Sequence, residues 1–413
     1  MADVEALNGV AAADIEAVNG VAKANIQAIN GVGVVSGQTA TRWVAAFDGN
    51  GSNMYIAYAA HSDRTSWTGT TVNSSTPHNL WMAYGKDGSG NPLWAVTTDS
   101  GSMEIAHDDN NDVTDGSTWT KVSSDSDGTD IEKLWTIAWG NDVWIGAGIV
   151  QGVGSGLPEI YRSTDGASWV KIDLSSVSGI STTAPIYGVA SDGAGNWMLG
   201  QGAKIFASVN NGSAWAEMTS YPGTAVADVG FTNGTWVVLG AASPGNINTV
   251  TAAAFATEMG GGSAATWGEQ DASISSGTTH GVDCLNIGQT GAGRTRIACG
   301  NGVVVMGHTE YTMAFDVNGT TIGIRSSTGL NKTGGQNGIV RVSGGSQTGQ
   351  PIIGDTINTI ATDGSGIFLV GSDDGDIAES TDNGATWTAT VESFAYNGNR
   401  KFEAIRANVF LPV

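Results

Sequence analysis

Charge is the scarcest commodity in this chain. Asp, Glu, Lys and Arg make up 14% of its 413 residues, well below the usual quarter. What charge there is lies on one side, with 17 basic against 39 acidic residues and a net charge of −22. Clustered Lys and Arg are what hold a nucleic-acid backbone or an anionic membrane surface, so neither partner is expected. Cysteine is nearly missing as well. Cys284 and Cys299 are too few for a disulfide framework or a zinc site of their own. They flank a QTGAG turn, which leaves open a disulfide across a hairpin or two small buried hydrophobes. No run approaches the ~20 apolar residues of a membrane-spanning helix. The start has neither a basic region nor a long apolar one, so no secretory signal is expected there.

What the chain has in excess is glycine, 61 copies, alongside 14 tryptophans and a 40% hydrophobic content. Proline is scarce and the glycines follow no three-residue period. Gly, Asn and Asp between short Val-, Ile- and Trp-bearing runs read as many short strands joined by tight turns. The expected class is all-β.

Residues 2–34 hold three copies of an 11-residue unit, ADVEALNGVAA, ADIEAVNGVAK and ANIQAINGVGV. Apolar residues fall at i and i+3, as in Val4 and Leu7, Ile15 and Val18, Ile26 and Ile29, a helical spacing. An Asp or Asn precedes each pair, where an N-cap belongs. Asn-Gly follows, at Asn8-Gly9, Asn19-Gly20 and Asn30-Gly31, a natural stop. The spacing predicts short helical turns that cannot form a core alone and must dock on a second copy, the rest of the chain or a larger assembly. Residues 1–36 are therefore set apart as an anchoring segment, ending in a short linker, from a domain over 37–413.

In that domain one theme returns: an apolar strand, a Gly/Asn/Asp turn, two more strands, then a turn ending in Trp. Ile186–Trp215 and Ile357–Trp387 match turn for turn, with one residue inserted in the second. The terminal turn is the informative part. Ser380, Asp382, Gly384 and Trp387 fit S-x-D-x-G-x-x-W. Ser208, Asn210, Gly212 and Trp215 keep the frame with Asn for Asp, and Ser163, Asp165, Gly166 and Trp169 shorten it by one residue. Asp115, Gly116 and Trp119 form a related turn, Ser62–Trp67 a weaker one without the Gly, and Thr266-Trp267 keeps only the end. The chemistry is that of a corner: a side-chain oxygen accepts backbone N–H groups, Gly supplies a positive φ and Trp buries a large area.

These turns resemble the Asp-box of the BNR/sialidase-like propellers, and the resemblance covers roughly residues 41–411. It implies a β-propeller, expected to have seven four-stranded blades. First strands are expected at 42–46, 80–84, 134–139, 186–191, 226–231, 282–287 and 357–362. An elaborated blade or a protruding loop is expected near 308–350. The closing FEAIRANVFL alternates like a strand that completes a blade near the N-terminal end and shuts the ring.

The search for chemistry is short. Sialidases need an arginine cluster, a Tyr nucleophile with a Glu partner and an acidic proton donor. The F/Y-R-I-P motif of the family is missing here, so the fold carries over and no catalytic residue does. There is no G-x-S-x-G elbow. His61, His78, His107, His280 and His308 show no metal-ligand spacing. Asp125, Asp127 and Asp130 form a D-x-D-G-x-D loop that could hold calcium or be merely solvated. Asp108–Asp112 resembles the start of an EF-hand loop, but Val113 stands where Gly is required. Apart from calcium no cofactor is expected, and the chain reads as a non-enzyme.

The N-terminal units resemble the leader repeats of structural proteins from marine tailed bacteriophages. That resemblance implies a virion component, a tail or capsid appendage or decoration protein. Residues 1–36 would attach it to other virion proteins, with a homo-oligomer left open, and the propeller would bind host-surface glycans. It would be made in the host cytoplasm. The alternatives are a sialidase-like glycan-cleaving enzyme and an assembly factor resembling the photosystem II stability factor, though the arginine-rich patch and secretion signal of the latter are missing.

Overall fold

The computed structural model describes residues 40–47, 53–72, 81–98, 102–108, 114–131, 133–149, 158–181, 184–223, 225–240, 246–271, 296–308, 311–329, 357–372, 375–391 and 402–410, together with short strand pairs within residues 6–33. Its strands form seven four-stranded antiparallel sheets, each in simple up-and-down order. Successive sheets pack through their innermost strands, and the last returns to the first. This is a seven-bladed β-propeller.

Blade one is a composite of the two ends of the domain. Its innermost strand is Phe402–Ala407, followed outward by Arg42–Phe47, Met54–Ala60 and Asp63–Val72. Ala404 pairs with Ala46 and Ala407 with Trp43, so FEAIRA closes the ring as its alternation predicts. Arg42–Phe47 is consequently the second strand of its blade, not the first. The other inner strands are Trp81–Lys86, Lys133–Gly140, Ile186–Ser191, Val226–Thr232, Arg296–Gly300 and Ile357–Thr362, for blades two to seven.

The expected first strand at 282–287 lies outside the described residues; the inner strand found in blade six is Arg296–Gly300. Cys299 sits on it as a free thiol and pairs in register with Val304, so its hairpin runs forward into Val303–His308. Cys284 is outside the described residues. The stretch expected to be elaborated begins as ordinary blade, because Tyr311–Asn318 and Thr321–Gly329 are the two outer strands of blade six. Residues 330–356 are outside the described residues.

The inner strands of each blade alternate, and both of their faces are dry, whereas the outermost strands are largely exposed. In blade two, Trp94, Val96 and Ala106 face blade one, while Leu93, Ala95, Met103 and Ile105 face blade three. The described core accordingly falls into seven apolar clusters, one in each gap between neighbouring blades. This explains strands that read as apolar throughout. Tight turns inside the blades use the residues that tolerate positive φ. Asn233-Gly234 and Asn301-Gly302 each hold two successive positive φ values, 48° and 70°, 54° and 71°, as a two-residue hairpin requires. Blade five departs from the pattern with one helix, Ala252–Met259, capped by the Thr251 hydroxyl and docked by the buried Phe255.

The described residues of the N-terminal repeat are strands, not helix. Its units form three antiparallel strand pairs, Ala6–Leu7 with Val10–Ala11, Ala17–Val18 with Val21–Ala22, and Ala28–Ile29 with Val32–Gly33. The reason lies in the dipeptide read above as a helix stop. Leu7 pairs with Val10, leaving Asn8 and Gly9 between them, and Asn-Gly is the preferred two-residue hairpin connection. Two apolar residues three apart do not outweigh that signal.

Candidate functional site

The Ser/Asp/Gly/Trp corners link the third and fourth strands of their blades, and the Ser and Asp or Asn oxygens that build them are consumed locally, while the buried Trp119 and Trp387 Nε1 have no partner among the described residues. In blade three the Ser163 hydroxyl donates to Asp165 Oδ1 (2.9 Å) and accepts the Gly166 N–H (2.8 Å). Asp165 Oδ1 also accepts the N–H groups of Ala167 (2.9 Å) and Ser168 (2.7 Å), and Trp169 Nε1 donates to the Gly166 carbonyl (2.8 Å). Blade four repeats this with Asn210 Oδ1 accepting from Ser208 Oγ and the Ala214 N–H, and Trp215 Nε1 donating to the Gly212 carbonyl. In blade seven Asp382 accepts from Ser380 Oγ and from Thr386 N–H and Oγ1, while Gly384 N–H donates to Ser380. In blade two Asp115 holds Ser117, and Gly116 N–H donates to Thr70 of blade one.

Three of these glycines are required twice over. Gly166, Gly212 and Gly384 have φ of 73°, 77° and 75°, and a Cβ there would meet the preceding blade at Leu93, Ile145 and Val305. Trp119, Trp169, Trp215 and Trp387 fill the gaps between blades one and two, two and three, three and four, and six and seven. Burial raises the carboxyls of Asp165 and Asp382, but the N–H and O–H donors outweigh it and hold both below the usual carboxylate range. These corners are fasteners between blades.

The calcium candidates do not converge. Asp125 Oδ1 accepts the N–H groups of Asp127 and Thr129, closing its own turn, and Asp130 bridges back to Ser124. Among the described residues no three His, Cys, Asp or Glu side chains are placed to hold a metal ion. Asp108, read as the start of a calcium loop, belongs instead to the ring closure. It accepts from Tyr84 Oη (3.0 Å) and Asn408 Nδ2 (3.0 Å) and lies 3.5 Å from Arg42 Nε. His61 pairs with Asp363 of blade seven at 2.9 Å and stacks on Trp43.

The concave site is the central channel, lined by residues from all seven inner strands. Five of these strands carry a register shift near their start, which singles out Trp135, Tyr187, Ala227, Asn358 and Glu403. Such a bulge re-aims a side chain at a sheet edge. Trp135 and Tyr187 meet at 5.5 Å between ring centroids, and both are half-buried. Arg406 donates from Nε to the Met82 carbonyl (3.0 Å). Asp228 accepts the N–H groups of Val229 (2.9 Å) and Ile297 (3.1 Å). Thr359 Oγ1 accepts the Ile405 N–H (3.1 Å). Burial lowers the Arg406 guanidinium, against the charge of Asp228. The half-buried Cys299 thiol is pushed far above its usual range by the desolvation it does suffer and by the charge of Asp228, which makes it a poor nucleophile. Sequence reasoning missed this site entirely.

No protein-family model and no curated protein matches the chain. Solved structures do. A Bacteroides uniformis protein provisionally named a 6-phosphogluconolactonase aligns with a TM-score of 0.51 at 8% identity, over 90% of this chain and 100% of that one. U3-55K gives 0.50 at 10% identity, over 80% and 89%. The RRP9 WD40 repeats give 0.49 at 10%, over 80% and 88%. The likeness is one of fold alone. At such identities a propeller says little about chemistry, because this architecture hosts many unrelated activities.

Proposed function

We propose that this chain is a structural, non-catalytic component of a bacteriophage particle, built on an Asp-box propeller. Residues 1–36 attach it to other virion proteins and the propeller is a binding head for a host-surface glycan. One observation supports the binding reading above the rest: the acidic side chains of the corners spend their acceptors on the N–H and O–H groups of their own turns. A catalytic carboxylate pair needs one group held protonated and another free to attack or activate water, and the corner aspartates are held ionised instead. The aromatic pair Trp135 and Tyr187 at the start of the inner strands offers the apolar surface on which a sugar ring stacks.

The particle assignment rests on the resemblance of the three 11-residue units to phage leader repeats. Imaging of native particles with an antibody against this chain tests it; label on a tail or capsid appendage is expected. Absence of the chain from purified particles would remove the assignment. The binding reading is tested by incubating the pure protein with host polysaccharide. Retention of intact polymer is expected, and release of new reducing ends would replace the reading with a glycan-cleaving one.

A further inference from the structure

The third strand of blade five, Asn246–Thr251, carries two amides where a propeller gap wants apolar side chains. Asn248 is 0% exposed and Asn246 8%. Asn248 stands opposite Val238 on the second strand and Glu269 on the fourth. Val238 and Val250 both pack into the gap toward blade four, and strand alternation puts Asn248 and Asn246 on that same face. Gly240, the partner of Asn246 in register, makes room there. A Cβ at Gly240 would lie 1.9 Å from Asn246 Oδ1.

Neither amide is satisfied by its surroundings. Asn246 Nδ2 donates to Glu269 Oε1 (2.9 Å), while its Oδ1 has no partner among the described residues. Asn248 lacks a partner at both Nδ2 and Oδ1; every other buried side chain of this kind leaves a single atom unmade. The facing wall of blade four is Met198, Ile205, Ala207 and Met218, which offers no strong donor or acceptor. Tyr221, packed against the same cluster, adds a buried hydroxyl that is also unpartnered. Burial and the charge of Glu269 hold that phenol protonated. Buried polar groups left unmade are costly, and so many in one gap call for something that completes them.

The chemistry narrows what that is. A donor and two acceptors are open together. A metal cation would meet the oxygens and leave the Asn248 N–H groups unmade. An anion would meet those N–H groups and face the oxygens. Exchanging the nitrogen and oxygen of Asn248 changes nothing, because both are open. Water both donates and accepts, and a buried water makes about three hydrogen bonds to groups otherwise unsatisfied. Asn248 has no contact with solvent, so such a molecule would be enclosed by the two blades.

We propose that blades four and five enclose structural water held by both polar atoms of Asn248 and by Asn246 Oδ1, a hydration site inside the wall of the ring. A crystal structure of the full chain, at a resolution that orders waters, tests it. Density is expected about 2.7–3.2 Å from Asn248 Nδ2 and Oδ1. A gap without density there would overturn the proposal, as would contacts of about 2.3–2.6 Å to oxygens alone, the mark of a cation. Denaturant unfolding of Asn248→Leu asks the same question by sign. If water completes the amide, the substitution strips that water of its partners, and the folded-to-unfolded ratio is expected to fall about five- to thirtyfold. If the gap is dry, Leu replaces an unpaired amide with an apolar group of similar size, and the ratio holds or rises. That second outcome would overturn the proposal; should the variant not fold, the parent crystal still decides.

Discussion

Blades three and five turn the same corner with different parts. Blade three uses the short run from Ser163 to Trp169, cross-linked by the Asp165 carboxylate, and drops Trp169 into the gap toward blade two. Blade five spends a whole helix, Ala252–Met259, between its third and fourth strands, and drops Phe255 into the gap toward blade four, stacked on Trp236 at 4.9 Å. Blade six uses neither and passes from Asn318 to Thr321 in a two-residue turn. The corner motif is therefore one solution among several to a single packing demand, a large apolar side chain between neighbouring blades. The hydrogen bonds position that side chain.

If this is right, the aromatic matters most and its scaffold least. Trp169→Ala should destabilise the protein by roughly 3–5 kcal/mol in denaturant unfolding, the range for deleting a fully buried large aromatic. Phe255→Ala should fall in the same range. A cost below about 1 kcal/mol for Phe255→Ala, the level of ordinary surface changes, would break the equivalence of the two corners.

The comparison extends to a gap that is imperfectly filled. Glu104, on the third strand of blade two, is 1% exposed, stands opposite Val96 on the face toward blade one, and its Oε1 has no partner. Burial pushes its carboxyl up to about 7, with Lys121 on the adjacent strand pulling partly the other way. A carboxyl raised in the folded state contributes stability that is fully present below its unfolded pKa and is lost as pH rises through the folded value. The protein should therefore weaken between about pH 4.5 and 7.5. Glu104→Gln should abolish that loss, exceeding the parent by up to roughly 3 kcal/mol at about pH 8 and matching it near about pH 4. Parallel stability-against-pH curves for the two proteins would show that Glu104 is not the group responsible.

What the sequence made legible follows from the range of the interactions involved. The corners are local, so Ser, Asp, Gly and Trp at fixed offsets announced them, even in blade one, where the copy without Gly still has Trp67 Nε1 donating to the Arg64 carbonyl. The ring closure was legible because FEAIRA alternates with no partner nearby. The identity of the inner strands was not, because closure moves Arg42–Phe47 one place outward through a pairing with the far end of the chain. Residues 2–34 were misread because an apolar pair three apart suits both a helical turn and two hairpin arms. The channel was invisible for the same reason as the closure: Arg406, Thr136 and Asp228 come from three separate blades, and nothing in their local context distinguishes them from other strand residues.

The scaffold of the corner should matter less than the aromatic it positions. Asp382→Ala removes the acceptor for Ser380 Oγ and for Thr386 N–H and Oγ1. It should cost about 1–2 kcal/mol, comparable to losing a side-chain cap, clearly less than loss of the aromatic. Asp382→Asn should recover most of that in the same denaturant measurement, since an amide oxygen keeps the two bonds Oδ1 accepts from Ser380 Oγ and Thr386 N–H and gives up only the one Thr386 Oγ1 makes to Oδ2.

Blade four has already made that exchange, and reversing it isolates the charge from the oxygen. Asn210 Oδ1 accepts from Ser208 Oγ at 2.8 Å and from the Ala214 N–H at 2.9 Å, the roles Asp165 and Asp382 play in their own turns. If geometry is what matters, Asn210→Asp should change stability near neutral pH by less than about 0.5 kcal/mol. What it should add is an acid limb. The new carboxylate would be held by the same donors that depress Asp165 and Asp382. Its stabilisation would be present above the unfolded pKa and lost as pH falls through the lower folded value. The variant should therefore match the parent at neutral pH and fall below it under about pH 4. A gain at neutral pH well beyond the surface range would instead mean that the charge itself fastens the corner, and that blade four is the weakest of the three.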